Sequence, residues 1–367
     1  MPQCDPCWPK IEFARDERPA ARHGKHRAGG AVQPRSSHLD AGESRAARSA
    51  LFARSMKAPD AILIAGPTAS GKSDLALELA ERVPIEIVSV DSSQVYRGFD
   101  IGSAKPDPAT RARVPHHLID IRDPHQSYSA GEFVTDALVA IKDIRDRGRM
   151  PVLVGGTMLY FNALVRGIAP LPTASPQTRA QIDARAARLG WPALHAELAA
   201  IDPEAAQRIH PNDPQRIQRA LEVHAVSGRS ISDWQRATQA STAGLALARY
   251  ALVPADRGLL HVRIAQRFER MMAAGFLAEV ETLRCRPDLP RSAAALRAVG
   301  YRQLMAHLEG GGSLDEAVQR AVAASRQLAK RQLTWIKADP GWQRLEPFDR
   351  QTLAHWVDEI VFVCRAS

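Results

Sequence analysis

The sequence predicts an α/β protein, a parallel sheet flanked by helices that carries an all-helical insertion. Three observations lead there. A short apolar run, Ala61–Ala65, is followed at once by a glycine-rich loop and an Ala/Leu/Glu-rich helical stretch. Two further buried-type strands recur with helical sequence between them, an alternation that favours parallel strands with helices on both faces. After a proline cluster, residues 177–240 then show helical segments with little strand character.

Taken in order, residues 1–55 hold Pro, Gly, Ser, Arg and Ala without a sustained apolar period, so they are expected to be disordered, and Met56 offers an alternative start. Strand one is Ala61–Ala65, the loop Gly66–Lys72, and the helix Ser73–Arg82. Ile85–Val90 is the second strand and ends at Asp91. A helix over Ala130–Arg147 leads to the third strand, Pro151–Val154, which ends at Gly155-Gly156-Thr157. Pro170, Pro172 and Pro176 mark the break. In the helical stretch, Asp202-Pro203 and Asp213-Pro214 each set a capping carboxylate before a proline at the first helical position. Another strand is expected at Tyr250–Val253, with helices resuming to about Lys337. These elements divide the chain into a core of residues 56–170 and 241–340, an insertion of 171–240 and a tail of 341–367.

Composition excludes some classes of function. No uncharged run approaches the length of a membrane-spanning helix, and the first thirty residues are too charged for a signal peptide. Four cysteines, Cys4, Cys7, Cys285 and Cys364, are too few and too scattered for a disulfide framework, so a cytoplasmic location is expected. Cys4 and Cys7 form a C-x-x-C without a second pair at zinc-site spacing. The net charge of +9 invites a polyanionic partner, and the basic excess is shared between residues 1–55 and the rest of the chain.

Gly66-Pro67-Thr68-Ala69-Ser70-Gly71-Lys72-Ser73 satisfies G-x-x-x-x-G-K-[ST] and lies between a strand and a helix, which makes the expected sheet P-loop NTPase-like. The glycines let backbone N–H groups turn toward phosphate oxygens, the helix points its positive end at them, and Lys72 adds a cation. Ser73 is placed to ligate Mg2+. Such a loop recognises a diphosphate and does not demand a nucleoside. Asp91 stands where open α/β sheets place their ligands; position alone leaves it a general base or, equally, a residue that reaches magnesium through water or that forms the turn. The third strand lacks the terminal acid of a typical ATPase, and its Gly-Gly reads most simply as a tight turn.

Gln215-Arg216-Ile217-Gln218-Arg219 opens one basic helix, and Arg326, Lys330, Arg331 and Lys337 dominate another. Each alone reads as a solvated face; two beside a phosphate-binding domain shift the reading toward a nucleic-acid backbone. Arg263 and Arg267 share a helical face, where one could reach the diphosphate or pair with an acid such as Glu269. His116-His117 lacks a third ligand and reads as a packed or hydrogen-bonded pair.

Together these segments resemble the tRNA dimethylallyltransferases, whose bacterial members share the loop found here. The resemblance extends through Val90–Tyr96, Asp100–Pro106, Pro115–Asp120, Val154–Thr157, Ile209–Arg216, Val299–Arg302 and Arg326–Gln332. It implies that the loop binds dimethylallyl diphosphate and that Asp91 takes a proton from N6 of adenosine 37 in the tRNA anticodon stem-loop. Lys72, Mg2+ and Arg263 or Arg267 would stabilise the departing diphosphate, and Thr157 would position Asp91 or the base. It also implies tRNA contacts at Asp91, Ser92, Ser93, Gln94, Thr157, Arg179, Gln215–Arg219, Arg297, Gly300, Tyr301, Arg302, Lys330, Arg331, Gln332, Trp335 and Lys337. The chain lacks the zinc-finger extension of eukaryotic relatives, and a monomer is expected. Two other classes compete. A small-molecule kinase would need a nucleoside pocket and would move label from the γ-phosphate of ATP; an RNA-binding module leaves Asp91 and the Lys72-Ser73 pair without a role.

Overall fold

The computed structural model describes residues 58–173, 175–237 and 244–365. The expectations for residues 1–55, Met56 and the Cys4/Cys7 pair lie outside the described residues. Six strands form one wholly parallel sheet in the order β3-β2-β4-β1-β5-β6. They are β1 (Ala61–Ala65), β2 (Ile85–Val90), β3 (His116–His117), β4 (Met150–Gly155), β5 (Leu247–Leu252) and β6 (Gln343–Leu345).

Strand alternation divides the core into two faces. Ala61, Leu63 and Ala65 face a cluster built by α3 (Ala130–Asp146) and α4 (Met158–Arg166), while Ile62 and Ile64 face α1 (Lys72–Arg82). Every residue of β1 is buried, which is why an unbroken apolar run appears there instead of an alternating one. Registers Ala65↔Gly155 and Val90↔Gly155 bring the carboxyl ends of β1, β2 and β4 level, so the loops that follow these strands converge on one rim. A short helix, α2 (Pro108–Arg113), leads into β3.

The segment expected to be a tail, 341–367, is instead structural through residue 365. Tyr250, Ala251 and Leu252 of β5 pair with Gln343, Arg344 and Leu345 of β6. The closing helix α14 (Arg350–Arg365) buries Val357, Ile360 and Val361 against the α1 face, and Arg82 meets Asp358 at 2.6 Å. That helical spacing stands in the sequence, whereas three-residue β6 is too short to carry a period. The same brevity hides β3, in which His117 Nε2 bonds Glu86 at 2.6 Å and His116 Nδ1 bonds Val114 O at 2.7 Å.

Residues 176–237 fold as α5 (Pro176–Leu189), α6 (Trp191–Ile201), α7 (Pro203–Arg208), α8 (Pro214–Ser227) and α9 (Ile231–Ala237). They pack around Ile182, Leu194, Leu198, Ile217 and Leu221. Asp202 and Asp213 cap α7 and α8 through the N–H groups of Ala205 and Arg216. Glu222, fully buried, accepts from Ser175 N at 2.8 Å, Arg179 Nε at 2.9 Å and Arg219 Nη1 at 2.8 Å, tying the entry of α5 to α8. Burial alone would raise its carboxyl, but the Arg219, Arg179 and Ser175 bonds outweigh that and hold it below the usual range. Glu222→Ala is expected to cost about 1–3 kcal/mol, since it removes three bonds to a buried carboxylate while its partly exposed partners Arg179 and Arg219 can turn to water. Urea unfolding followed by the fluorescence of Trp191 and Trp234 measures this. The depressed carboxyl stabilises at neutral pH and loses that contribution as pH falls through its titration; a midpoint unchanged by the substitution contradicts the assignment.

The remaining helices are α10 (Arg257–Ala273), α11 (Phe276–Arg284), α12 (Tyr301–Leu308) and α13 (Leu314–Ala338). They enclose an aromatic core of Phe99, Phe268, Phe276 and Tyr301 that seats the loop after β2.

Candidate functional site

The glycine-rich loop leaves β1 and delivers its last residues to the first turn of α1. Ala69 and Gly71 both take left-handed conformations, φ 64 and 91. The strained Ala69 is held from outside: Arg263 Nε donates to its carbonyl at 3.0 Å, and the guanidinium lies 5.0 Å from the Phe348 ring centre. Lys72 folds back toward the loop, Nζ donating to Pro67 O at 3.4 Å. Burial first, and then the Arg267 cation, lower its ammonium to about 8, against the raising pull of Asp91 and Asp74.

That value predicts a pH dependence. Were the loop to hold a diphosphate, as the resemblance implies, the protonated lysine would be the form that pairs with it; affinity for that ligand is then expected to be highest below pH 8 and to fall as pH rises through it, by up to about tenfold per unit for one proton. Calorimetric titration with the donor alone, between pH 7 and 9.5, should also show proton uptake at the upper end. A flat affinity across that range would take Lys72 out of the binding.

Asp91 ends β2. Its Oδ1 accepts from Ser93 N at 2.8 Å and Gln94 N at 3.4 Å, which closes the turn beneath it. Thr157 Oγ1 accepts the Ser92 N–H at 3.0 Å, and Thr157 N donates to Val90 O at 3.2 Å, so the turn after β4 grips the chain on both sides of Asp91. The Gly155-Gly156 pair, read from sequence as a tight turn, serves close approach instead. A Cβ on Gly155 would overlap Val90 O, and one on Gly156 would overlap the Gln332 amide.

Two adjoining cavities meet here. The larger, about 780 Å³, is lined by Gly71, Lys72, Ser73, Arg263, Arg267 and Arg270. A smaller one of about 110 Å³ adds Asp91 to Lys72 and Arg267 and is walled by Ile264, Phe268, Met271 and Leu328. A mostly polar chamber thus gathers two cations and a carboxylate beside an apolar stripe of α10, Ile264, Phe268 and Met271. Burial lowers the Arg267 guanidinium while Asp91 raises it, which places the two charges within each other's field. Arg263 and Arg267 therefore differ: the first straps the loop, the second faces the chamber.

The opposite wall is the loop after β2. Glu279 accepts the N–H groups of Asp100, Ile101 and Gly102 and the Tyr301 hydroxyl, and buried Lys105 bridges Asp100 and Asp120 at 2.6 Å each. Neither Glu279 nor Lys105, nor Phe348, stood out in the sequence as a site residue. An acid on the aromatic face of a helix is the signal that would have found Glu279.

Of the residues expected to meet tRNA, Arg216, Gln215, Arg297, Arg302, Lys330, Arg331, Trp335 and Lys337 are exposed, as is Ser92. Several others are placed differently. Ile217 fills the core of the helical domain, Tyr301 and Gly300 are buried beside Phe276, and Gln332 is buried between the loop and β4. Arg179 and Arg219 are committed to Glu222, Arg219 also to Pro172 O, and Gln218 donates to Asp183. A motif marks such residues as a block, and only packing separates the ones that hold the backbone from those that face out.

The family model for IPP transferase matches residues 94–339. The chain is 57% identical over 286 residues to the tRNA dimethylallyltransferase of Bordetella petrii, covering 76% of this chain and 90% of that protein. It is 56% identical over 288 residues to the tRNA dimethylallyltransferase of Thioalkalivibrio sulfidiphilus, covering 78% and 90%. Among solved structures, the tRNA isopentenylpyrophosphate transferase of Bacillus halodurans superposes with a TM-score of 0.61 at 35% identity, over 84% of this chain and 97% of that one. A eukaryotic dimethylallyltransferase acting on tRNA gives 0.65 at 26% identity, over 81% and 75%.

Proposed function

The chain belongs to the IPP transferase family and is a prenyltransferase with a P-loop NTPase-like fold; from that premise we propose that it transfers a dimethylallyl group from dimethylallyl diphosphate to N6 of adenosine 37 in tRNA. The observation that carries the reading is the chamber that Asp91 lines together with Lys72 and Arg267, with Ile264, Phe268, Met271 and Leu328 supplying the apolar part of its wall. The diphosphate is held by the loop N–H groups and Lys72, and its prenyl tail enters the chamber. The N6 nitrogen attacks carbon one, forming the N–C bond as the C–O bond to diphosphate breaks and its electron pair leaves with the oxygen. Asp91 takes the N6 proton, and Arg267 and Lys72 hold the charge that develops on the leaving group.

Magnesium fits this donor set. Ser73 lines the same cleft as Lys72, and its hydroxyl oxygen would hold the ion. Among the described residues no cluster of three His, Cys, Asp or Glu could enclose a metal. A magnesium ion held at Ser73 would supply charge neutralisation on the leaving group.

The acceptor is a tRNA anticodon stem-loop. Helix α13 presents Arg326, Lys330, Arg331 and Lys337 with Trp335, whose 42% exposure leaves a ring face for a splayed base. Arg297 and Arg302, also exposed, offer further cations to the RNA backbone, and the helical domain clamps the stem. The enzyme acts as a monomer in the cytoplasm; among the described residues no helix is long and apolar enough to cross a membrane.

Incubation with magnesium, labelled dimethylallyl diphosphate and unmodified tRNA, followed by digestion and mass analysis of nucleosides, tests the reading. Label on adenosine N6 is expected. Transfer of label from the γ-phosphate of ATP, with none from the prenyl donor, would replace it with a kinase.

A further inference from the structure

Helix α13 sends one polar side chain into the seam between the two halves of the site. Gln332 Oε1 accepts from Thr68 N at 3.0 Å, and Gln332 Nε2 donates to Gly156 O at 2.8 Å. A single amide therefore spans from the phosphate loop to the turn after β4. That turn continues directly into Thr157, which grips Val90 and Ser92 on either side of Asp91. This buried side chain adds a second tie between loop and turn to the Gly66 N–H bond with Gly155 O at 3.3 Å. The approach is built from both sides, because a Cβ at Gly156 would take the space of the amide nitrogen. Gln332 also stands on the buried stripe of α13 with Ala329, Leu333 and Ile336, facing away from the exposed basic side chains.

We propose that Gln332 is a positioning residue that fixes the distance between the diphosphate loop and the Asp91 carboxylate, and that it does not contact RNA. The proposal rests on the prenyl-transfer reading. Displacement requires N6, carbon one and the leaving oxygen in line, and a misplacement of about 1 Å is enough to cost about 10²-fold. The amide suits the task because it accepts from one backbone group and donates to the other without charge. Methionine fills nearly the same volume and does neither.

The test uses the full chain carrying Gln332→Met beside the wild type. It measures tRNA affinity, donor KM and the single-turnover rate with both substrates saturating. Expected are tRNA affinity equal to that of the wild type, a raised donor KM, and a saturated rate lower by about 10²-fold. A raised KM with an unchanged saturated rate overturns the proposal, since Gln332 would then only prop the loop. Lost tRNA affinity with full rate at saturation also overturns it, in favour of an RNA contact. Should Gln332→Met fail to fold, Gly156→Ala pushes the same amide from the other side and must give the same pattern of constants. A wild-type chain that transfers nothing removes the functional reading itself and the proposal with it, and the wild-type lane alone shows which has failed.

Discussion

Replacing Asp91 by Ala is expected to lower turnover by about 10² to 10⁴-fold, the range typical for a lost general base, while leaving tRNA affinity unchanged. On the proposed mechanism the carboxylate would do two jobs that a pair of variants can separate. Its Oδ1 closes the turn through the N–H groups of Ser93 and Gln94, so Ala removes the cap together with the base. Asn keeps an oxygen for the cap and cannot take the proton. If basicity dominates, Asp91→Asn falls nearly as far as Asp91→Ala under single-turnover conditions. An Asn variant with wild-type rate would reduce Asp91 to a turn former, the other role its position allows.

Lys72→Ala should be comparably damaging, by about 10² to 10³-fold, because it removes a cation aimed at the charge that develops on the leaving group. Arg267→Gln should share that signature. It faces the chamber beside Lys72, and burial strengthens what it can do there. Arg263→Gln should differ in kind: it frees the Ala69 carbonyl and loosens the loop, raising donor KM more than it lowers the saturated rate. Comparing donor KM with single-turnover rate across the three variants checks all of this. Equal losses at Arg263 and Arg267 would contradict the division of labour.

The parts of the site that the sequence discloses are those written locally. Strand, glycine loop and helix stand together at Ala61–Arg82, and Asp91 and Gly155-Gly156-Thr157 each terminate an apolar run. What stays hidden depends on height and side instead of type. Arg263 and Arg267 share a face, yet one helical turn separates them by about 6 Å along the axis, and that alone decides which reaches the chamber. Gln332 is one residue from exposed Arg331 and looks like part of a basic helix. Its register with Ala329, Leu333 and Ile336 is what buries it. Ile217 shows the same limit within a stretch of polar neighbours. The sheet's outer strands, β3 and β6, are too short to declare themselves, whereas α14 carries a legible helical stripe beyond the expected boundary.

The place of β6 and α14 has a consequence for how the molecule comes into being. Domains fold during synthesis as units, from the amino end onward, and the small helical domain can close around its own core early. The sheet cannot. The outer edge of β5 finds its partner in β6, and the outer face of α1 its cover in α14, both far behind them in the chain. The helix that follows the phosphate loop is therefore covered by α14, a segment made long after it.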